Sequence, residues 1–167
     1  MASVLGVDEE ALAETRTCIK EIFNNIIDHS EEQIGCVHMQ WFPNKHRMEI
    51  TISDFGCGIP VSLAKRMAFD NDVDAVVAAT TEGVTSKSMP GNYGAGLGVL
   101  VDYVVIGNRG TVDIRSATGA VHCSPAGGRV RKTPFVGRGF YPGTLIHISM
   151  RTDSLAEQTS EREDLKW

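Results

Sequence analysis

Between Asp8 and about Ser30, apolar residues fall at Leu12, Ile19, Ile22, Phe23, Ile26 and Ile27. That is a helical period, with Asp8 placed to cap its start and acidic residues behind it, and it predicts one long amphipathic helix. The period then changes. Gly35 to Phe42 and Arg47 to Ser53 are β-prone runs joined by Pro43-Asn44-Lys45-His46, a connection suited to a hairpin. Pro60 to Pro90 mixes short helical patterns, such as Val73 to Ala79, with Gly83 and a Ser/Thr-rich run, so it reads as a long semi-ordered insertion.

By pattern alone, Leu97 to Ile106 fits a helix or a buried strand. A helix is expected, because Gly107-Asn108-Arg109-Gly110 then supplies a C-terminal stop before a strand at Thr111 to Ser116. The Gly- and Arg-rich stretch from Pro125 to Arg138 predicts a hairpin with a flexible tip. Thr144 to Met150 alternates as a last strand, and the polar tail from Arg151 to Trp167 is a short helix or frays. No internal repeat is present. This element order predicts an α+β fold, a two-layer sandwich in which helices cover one face of an antiparallel or mixed sheet.

Composition narrows the class. At 167 residues and 18.1 kDa the chain is expected to form a single domain, residues 1–167. With 42% hydrophobic residues, 22% charged residues and a mean hydropathy of -0.09, it is too apolar for a disordered chain and too interrupted for a membrane protein. The most apolar stretch, Gly96 to Ile106, is broken by Asp102 and is far shorter than the roughly 20 residues a bilayer needs. Met1-Ala2-Ser3-Val4-Leu5 carries no basic n-region, so a cytoplasmic location is expected. Sixteen Lys and Arg against 21 Asp and Glu give a net charge of -5, which repels a polyphosphate backbone, so neither nucleic acid nor membrane is an expected partner. Cys18, Cys36, Cys57 and Cys123 have no CxxC spacing, and reduced thiols are expected.

Four segments carry candidate chemistry. On the first helix Glu21, Asn25 and Asp28 form one polar stripe bordered by His29, opposite Ile19, Phe23, Ile26 and Ile27. At the end of the second predicted strand stands Asp54-Phe55-Gly56-Cys57-Gly58-Ile59. Glycines two apart let a backbone approach a ligand closely, and a carboxylate at a strand end can accept hydrogen bonds from an exocyclic amine. Gly91-Asn92-Tyr93-Gly94-Ala95-Gly96-Leu97-Gly98 opens a helix, where unpaired N–H groups suit phosphate, although no Gly-Lys-Ser/Thr follows as a Walker loop requires. Last, Gly143-Thr144 precedes the final strand. Each segment alone also fits a plain structural role: a solvated helix face, a strand-to-helix turn, a Gly-rich loop and a turn hydroxyl.

Together and in this order the segments resemble the Bergerat-fold (GHKL) ATPases, which include DNA gyrase, the ninety-kilodalton heat-shock chaperone, histidine kinases and MutL. Glu21 to His29 looks like the family's N box, Asp54 to Ile59 like its G1 box, Gly94 to Gly98 like its G2 box and Gly143-Thr144 like its terminal Gly-Thr motif. The resemblance implies ATP and Mg²⁺ as cofactors. It makes Asn25 the magnesium ligand, Glu21 the group that polarises the nucleophile, and Asp54 the acceptor of the adenine amine, with Thr144 assisting. Asp28, His29, Gly56, Gly58 and Ile59 would contribute to ATP binding, Gly94, Ala95, Gly96, Leu97 and Gly98 would cradle phosphate, and Pro60 to Tyr93 would form an ATP lid. Asp28 either orients a water or solvates its helix.

Within the family, Glu-x-x-x-Asn-x-x-x-His followed by Ser30 is most similar to the serine kinases that act as anti-sigma factors and to small stand-alone ATP-binding proteins, with histidine kinases close behind. The implied function is phosphoryl transfer from Mg-ATP by a serine/threonine or histidine kinase-like regulatory protein with a protein substrate or partner. An ATP hydrolase and an ATP-dependent switch with little turnover stay open as alternatives, and so does homodimerisation. Clamp ATPases such as gyrase and MutL are the weaker comparison, since they add a transducer domain with a catalytic lysine. His38 and His46 sit in or beside the predicted hairpin and are expected to be core or surface residues.

Overall fold

The computed structural model describes residues 35–81 and 97–153. The helix expected from Asp8 to Ser30 and the tail after Asp153 lie outside the described residues. Strand β1 (Gly35–Phe42) pairs antiparallel with β2 (Arg47–Asp54) in a register running from Gly35↔Asp54 to Phe42↔Arg47. The predicted connection closes them as a 3-10 turn, Pro43–Lys45. His46 at φ 45 reverses the chain, and its carbonyl accepts the Thr152 N–H at 2.9 Å.

Helices α1 (Gly58–Ala64), α2 (Asp72–Ala79) and α3 (Leu97–Asp102) follow. Helix α3 widens into a π-turn, Tyr103–Gly107, before the hairpin of β3 (Thr111–Ala126) and β4 (Arg129–Arg151). The sheet order is β1-β2-β4-β3, and every pairing among the described residues is antiparallel, which decides between the two sheet types expected. No helix among the described residues is long and apolar enough to cross a membrane.

Alternation explains the core. Met48, Ile50 and Ile52 of β2, Val112 and Ile114 of β3, and Ile146, Ile148 and Met150 of β4 all point to one face of the sheet and are buried. Leu63, Val76, Leu100, Val101, Val104 and Val105 close over them from the helices and the π-turn. Each such burial stabilises the fold by about 1.5–3 kcal/mol.

Of the insertion expected from Pro60 to Pro90, the helical pattern from Val73 to Ala79 is found as α2, while its first part is packed into the core where a semi-ordered segment was expected. Residues 60–79 belong largely to α1 and α2, whose Leu63, Ala75, Val76 and Ala79 are core residues. Asn71 caps α2 by accepting the Asp74 N–H at 3.0 Å, and the Asp72 carboxylate on the first turn accepts from the Thr118 N–H at 3.0 Å and the Thr118 hydroxyl at 2.6 Å. At the other end Lys132 Nζ donates to the Thr80 carbonyl at 2.9 Å, so the β3–β4 hairpin grips both ends of α2. Local pattern cannot report such long-range clamps, and this is why the segment read as loose.

The hairpin itself was expected only from Pro125 onward. It starts at Thr111, because β3 runs through Ala117 (φ 52) and two register shifts without leaving the sheet. Gly119 permits this. A Cβ there would collide with the backbone carbonyl of Asp72, so only glycine lets β3 pass this close to α2. The stop predicted after Ile106 is present: Asn108 is fully buried, Arg109 is left-handed (φ 50), and the Gly110 N–H donates to the Val104 carbonyl at 2.9 Å.

Candidate functional site

Three inward-facing apolar stripes end in polar residues at the same edge of the sheet. Met48, Ile50 and Ile52 lead to Asp54; Val112 and Ile114 lead to Ser116; Met150, Ile148 and Ile146 lead back to Thr144. Register puts them side by side. Ser116 pairs with Thr144, and Asp54 lies one residue beyond the Ser53↔Leu145 pair. Burying a carboxylate and a hydroxyl at core positions is costly unless each is hydrogen-bonded, so the bonds found there hold the whole edge in one arrangement.

The Gly56 N–H donates to Asp54 Oδ1 at 2.8 Å, folding the chain back over the carboxylate. Ser116 Oγ accepts the Ile59 N–H at 2.8 Å and donates to the Gly143 carbonyl at 2.7 Å, which joins the loop after β2 to the chain leading into Thr144. Two glycines make the approach sterically feasible. Gly58 has φ +75 and a Cβ there would lie 2.6 Å from Ser116 Oγ. Gly143 has φ +138, and a Cβ there would run into the Asp54 backbone carbonyl and lie 2.6 Å from Asp54 Oδ1.

Burial pushes the Asp54 carboxyl above its usual range, and hydrogen bonds from the Gly56 N–H and from the backbone and side chain of Thr144 pull it part of the way back. Desolvation wins. The result is a strand-end carboxylate that is 5% exposed and ready to accept an N–H from a ligand that replaces the lost water. Ile59, buried at the start of α1, supplies an apolar neighbour. On the adjoining surface the exposed ring of Phe55 stacks on Tyr141, centroids 6.3 Å apart at 24°.

The structure therefore brings Asp54, Gly56, Gly58, Ile59 and Thr144 into one cluster. Leu97 and Gly98 open α3, where Gly98 is buried and Leu97 packs against the core. Glu21, Asn25, Asp28, His29, Gly94, Ala95 and Gly96 lie outside the described residues. Ser116 was missed by sequence reasoning. Its signal was present as a hydroxyl at a core-facing position of an alternating strand, in register with Val112 and Ile114. Among the described residues Cys36, Cys57 and Cys123 form no disulfide with one another, and burial pushes the Cys123 thiol up to about 11. Among the described residues no three His, Cys, Asp or Glu side chains are grouped to hold a metal.

The profile of the histidine kinase-, DNA gyrase B- and HSP90-like ATPases matches residues 11–141. No curated protein matches the chain significantly. Solved structures similar to it include the topoisomerase IV ATP-binding domain of Francisella tularensis in complex with a small-molecule inhibitor. That structure is 14% identical with a TM-score of 0.44, over 81% of this chain and 35% of that one. The ATPase region of Saccharomyces cerevisiae topoisomerase II is 8% identical with a TM-score of 0.48, over 83% and 38%. The N-terminal domain of a DNA repair protein is 17% identical with a TM-score of 0.42, over 89% and 39%. The chain thus spans under two fifths of the length of each of these proteins. The profile covers the strand ends that carry Asp54 and Ser116 as well as the segment of Glu21 and Asn25, and this chain belongs to the histidine kinase-, DNA gyrase B- and HSP90-like ATPase family.

Proposed function

We propose that this chain binds Mg-ATP and transfers its terminal phosphoryl group to a protein, acting as a serine/threonine or histidine kinase-like regulator. Membership of an ATPase family supports nucleotide binding. The observation that carries the reading is the buried Asp54 carboxylate, fixed by the Gly56 N–H on one side and Thr144 on the other. In this reading Asp54 accepts the adenine amine, the Thr144 hydroxyl assists, and Gly58 and Ile59 border the base. Leu97 and Gly98 close the phosphate loop formed with Gly94, Ala95 and Gly96.

Asn25 would hold the magnesium ion, Glu21 polarises the nucleophile, and Asp28 and His29 contribute to ATP binding, Asp28 by orienting a water. These roles rest on the sequence resemblance. Bound magnesium supplies charge neutralisation between phosphate oxygens, the chief need of phosphoryl transfer.

Calorimetry with ATP and GTP tests the base site. Guanine presents a carbonyl where adenine presents its amine, and an acceptor facing a buried carboxylate costs about 1–3 kcal/mol, so ATP should bind several-fold to a hundred-fold more tightly. Equal affinities would remove the role of Asp54. Labelled ATP incubated with candidate proteins tests the reaction: label on a protein supports the kinase reading, while free phosphate alone means hydrolysis, and neither means a switch.

A further inference from the structure

From Ile114 to Thr152 the chain carries Arg115, Arg129, Arg131, Lys132, Arg138 and Arg151 and not one Asp or Glu, although carboxylates outnumber Lys and Arg 21 to 16 overall. Two of these cations are engaged. Lys132 caps α2, and Arg151 pairs with Asp153. Arg115, Arg129, Arg131 and Arg138 are exposed, and none forms an ion pair among the described residues.

Uncovered apolar side chains lie on the same hairpin. Val130 packs against the core and Lys132 reaches α2, so the pleat turns Arg129 and Arg131 to the opposite, open face of the hairpin. Phe135 shares that face, with the Arg115 guanidinium 5.9 Å from its ring centroid. Beyond it, Val136 pairs with Gly119 and Tyr141 with Ala117, so Gly137-Arg138-Gly139-Phe140 loops out of the ladder. Val136 and Phe140 are 71% and 70% exposed. Arginine and aromatic side chains anchor protein interfaces, and exposed apolar groups grouped with them mark a contact surface.

We propose that the open face carrying Arg115, Arg129, Arg131 and Phe135, continued by the looped-out Arg138 and Phe140, docks an acidic segment of a partner protein that carries apolar side chains between its carboxylates. Charge complementarity selects the acidic character. A protein fits better than a nucleic acid for three reasons. A phosphate backbone offers nothing to the exposed Phe140 side chain, the Phe135 ring is already engaged by Arg115, and the net charge of -5 repels a long polyanion outside the patch. The proposal goes beyond phosphoryl transfer and does not depend on it.

The test uses the whole chain without nucleotide. Fluorescence anisotropy follows a short labelled peptide of alternating Glu and Leu, its Gln-Leu counterpart and an oligothymidylate. The Glu peptide is expected to bind about tenfold more tightly than the Gln peptide and to weaken as salt rises. The double variant Arg129→Glu/Arg131→Glu and, separately, Phe140→Ser should each weaken it by about tenfold while circular dichroism stays unchanged. Equal binding of the two peptides, insensitivity to these variants, or tighter binding of oligothymidylate would each overturn the proposal. Because nucleotide is absent from every arm, failure of the ATP reading leaves the result intact, and failure here leaves that reading untouched.

Discussion

The two ends of the β3–β4 hairpin are made from the same two strands and obey opposite rules. At the sheet end, Ser116, Gly143 and Thr144 interlock with Asp54, Gly58 and Ile59 through buried hydrogen bonds and backbone contacts that leave no space for an added methyl at either glycine. At the far end Gly127 and Gly128 also have positive φ, 58 and 75, yet a Cβ on either would meet nothing within 4 Å. Glycine is required at Gly143 by conformation and contact together, and at Gly128 by conformation alone. A glycine or an arginine in the sequence does not tell which regime it is in, whereas the neighbours do.

The largest effect should come from breaking the sheet end sterically. Gly143→Ala forces a Cβ into the Asp54 backbone at a φ that only glycine adopts freely, and a loss of more than about 3 kcal/mol is expected in urea unfolding. Gly128→Ala is its control, with strain but no collision, and should cost about 1–2 kcal/mol. Equal losses would erase the distinction between the two ends.

Ser116→Ala probes the same end chemically. It removes the acceptor of the buried Ile59 N–H and the donor to the Gly143 carbonyl, leaving both backbone groups short of a partner. The expected cost is about 1–3 kcal/mol. ATP affinity, read by calorimetry on the folded variant, should fall with it, since the hydroxyl sets the spacing between the two segments that hold Asp54. Unchanged affinity would make Ser116 a purely structural residue.

Asp54→Asn separates the stability of the edge from its proposed use. In the folded chain the Asp54 carboxyl keeps its proton to a higher pH than the usual 3.8, so in that window the folded state binds more protons than the unfolded state. Stability from this group therefore falls as pH rises from 3.8 through the folded-state value, and the charged form is a burden at neutral pH. The amide removes that burden while still accepting the Gly56 N–H. Without ligand the variant should match or exceed the parent at pH 7 and lose its advantage in acid, while binding ATP more weakly. Urea midpoints across pH measure the first part; a variant less stable than the parent at neutral pH would mean that the hydrogen bonds outweigh desolvation.

How much of this was legible in the sequence follows the same division. The β1–β2 hairpin was readable to within one residue because alternation and Pro43-Asn44-Lys45-His46 are local signals. The helix at Leu97 was readable from its stop. Asp54, Gly58 and Gly143-Thr144 were legible only together, through the order in which their segments resemble the family's motifs. The packing of α1 and α2 was not readable, since it depends on Asp72 meeting Thr118 and on Lys132 meeting Thr80 across long stretches of chain. Nor was the reach of β3, where Ala117-Thr118-Gly119 breaks the alternation while register shifts keep the strand in the sheet. Ser116 falls between these cases: its parity was visible, but its two partners belong to other segments.

The smallest effect is expected on the exposed stretch of β4 that lies between the two ends of the hairpin. Phe140 and Val136 leave most of their surface in water in the folded chain, so replacing either with serine removes little that folding buries. Phe140 belongs to the looped-out Gly137–Phe140 segment and Val136 precedes it, and a Cβ on Gly139 would meet nothing within 4 Å. Each substitution should change unfolding free energy by less than about 0.5 kcal/mol, the usual range for surface positions. Thermal melts of Phe140→Ser and Val136→Ser beside Ser116→Ala measure the contrast directly. A loss above about 1 kcal/mol at Phe140 would show that this stretch is packed as the sheet end is.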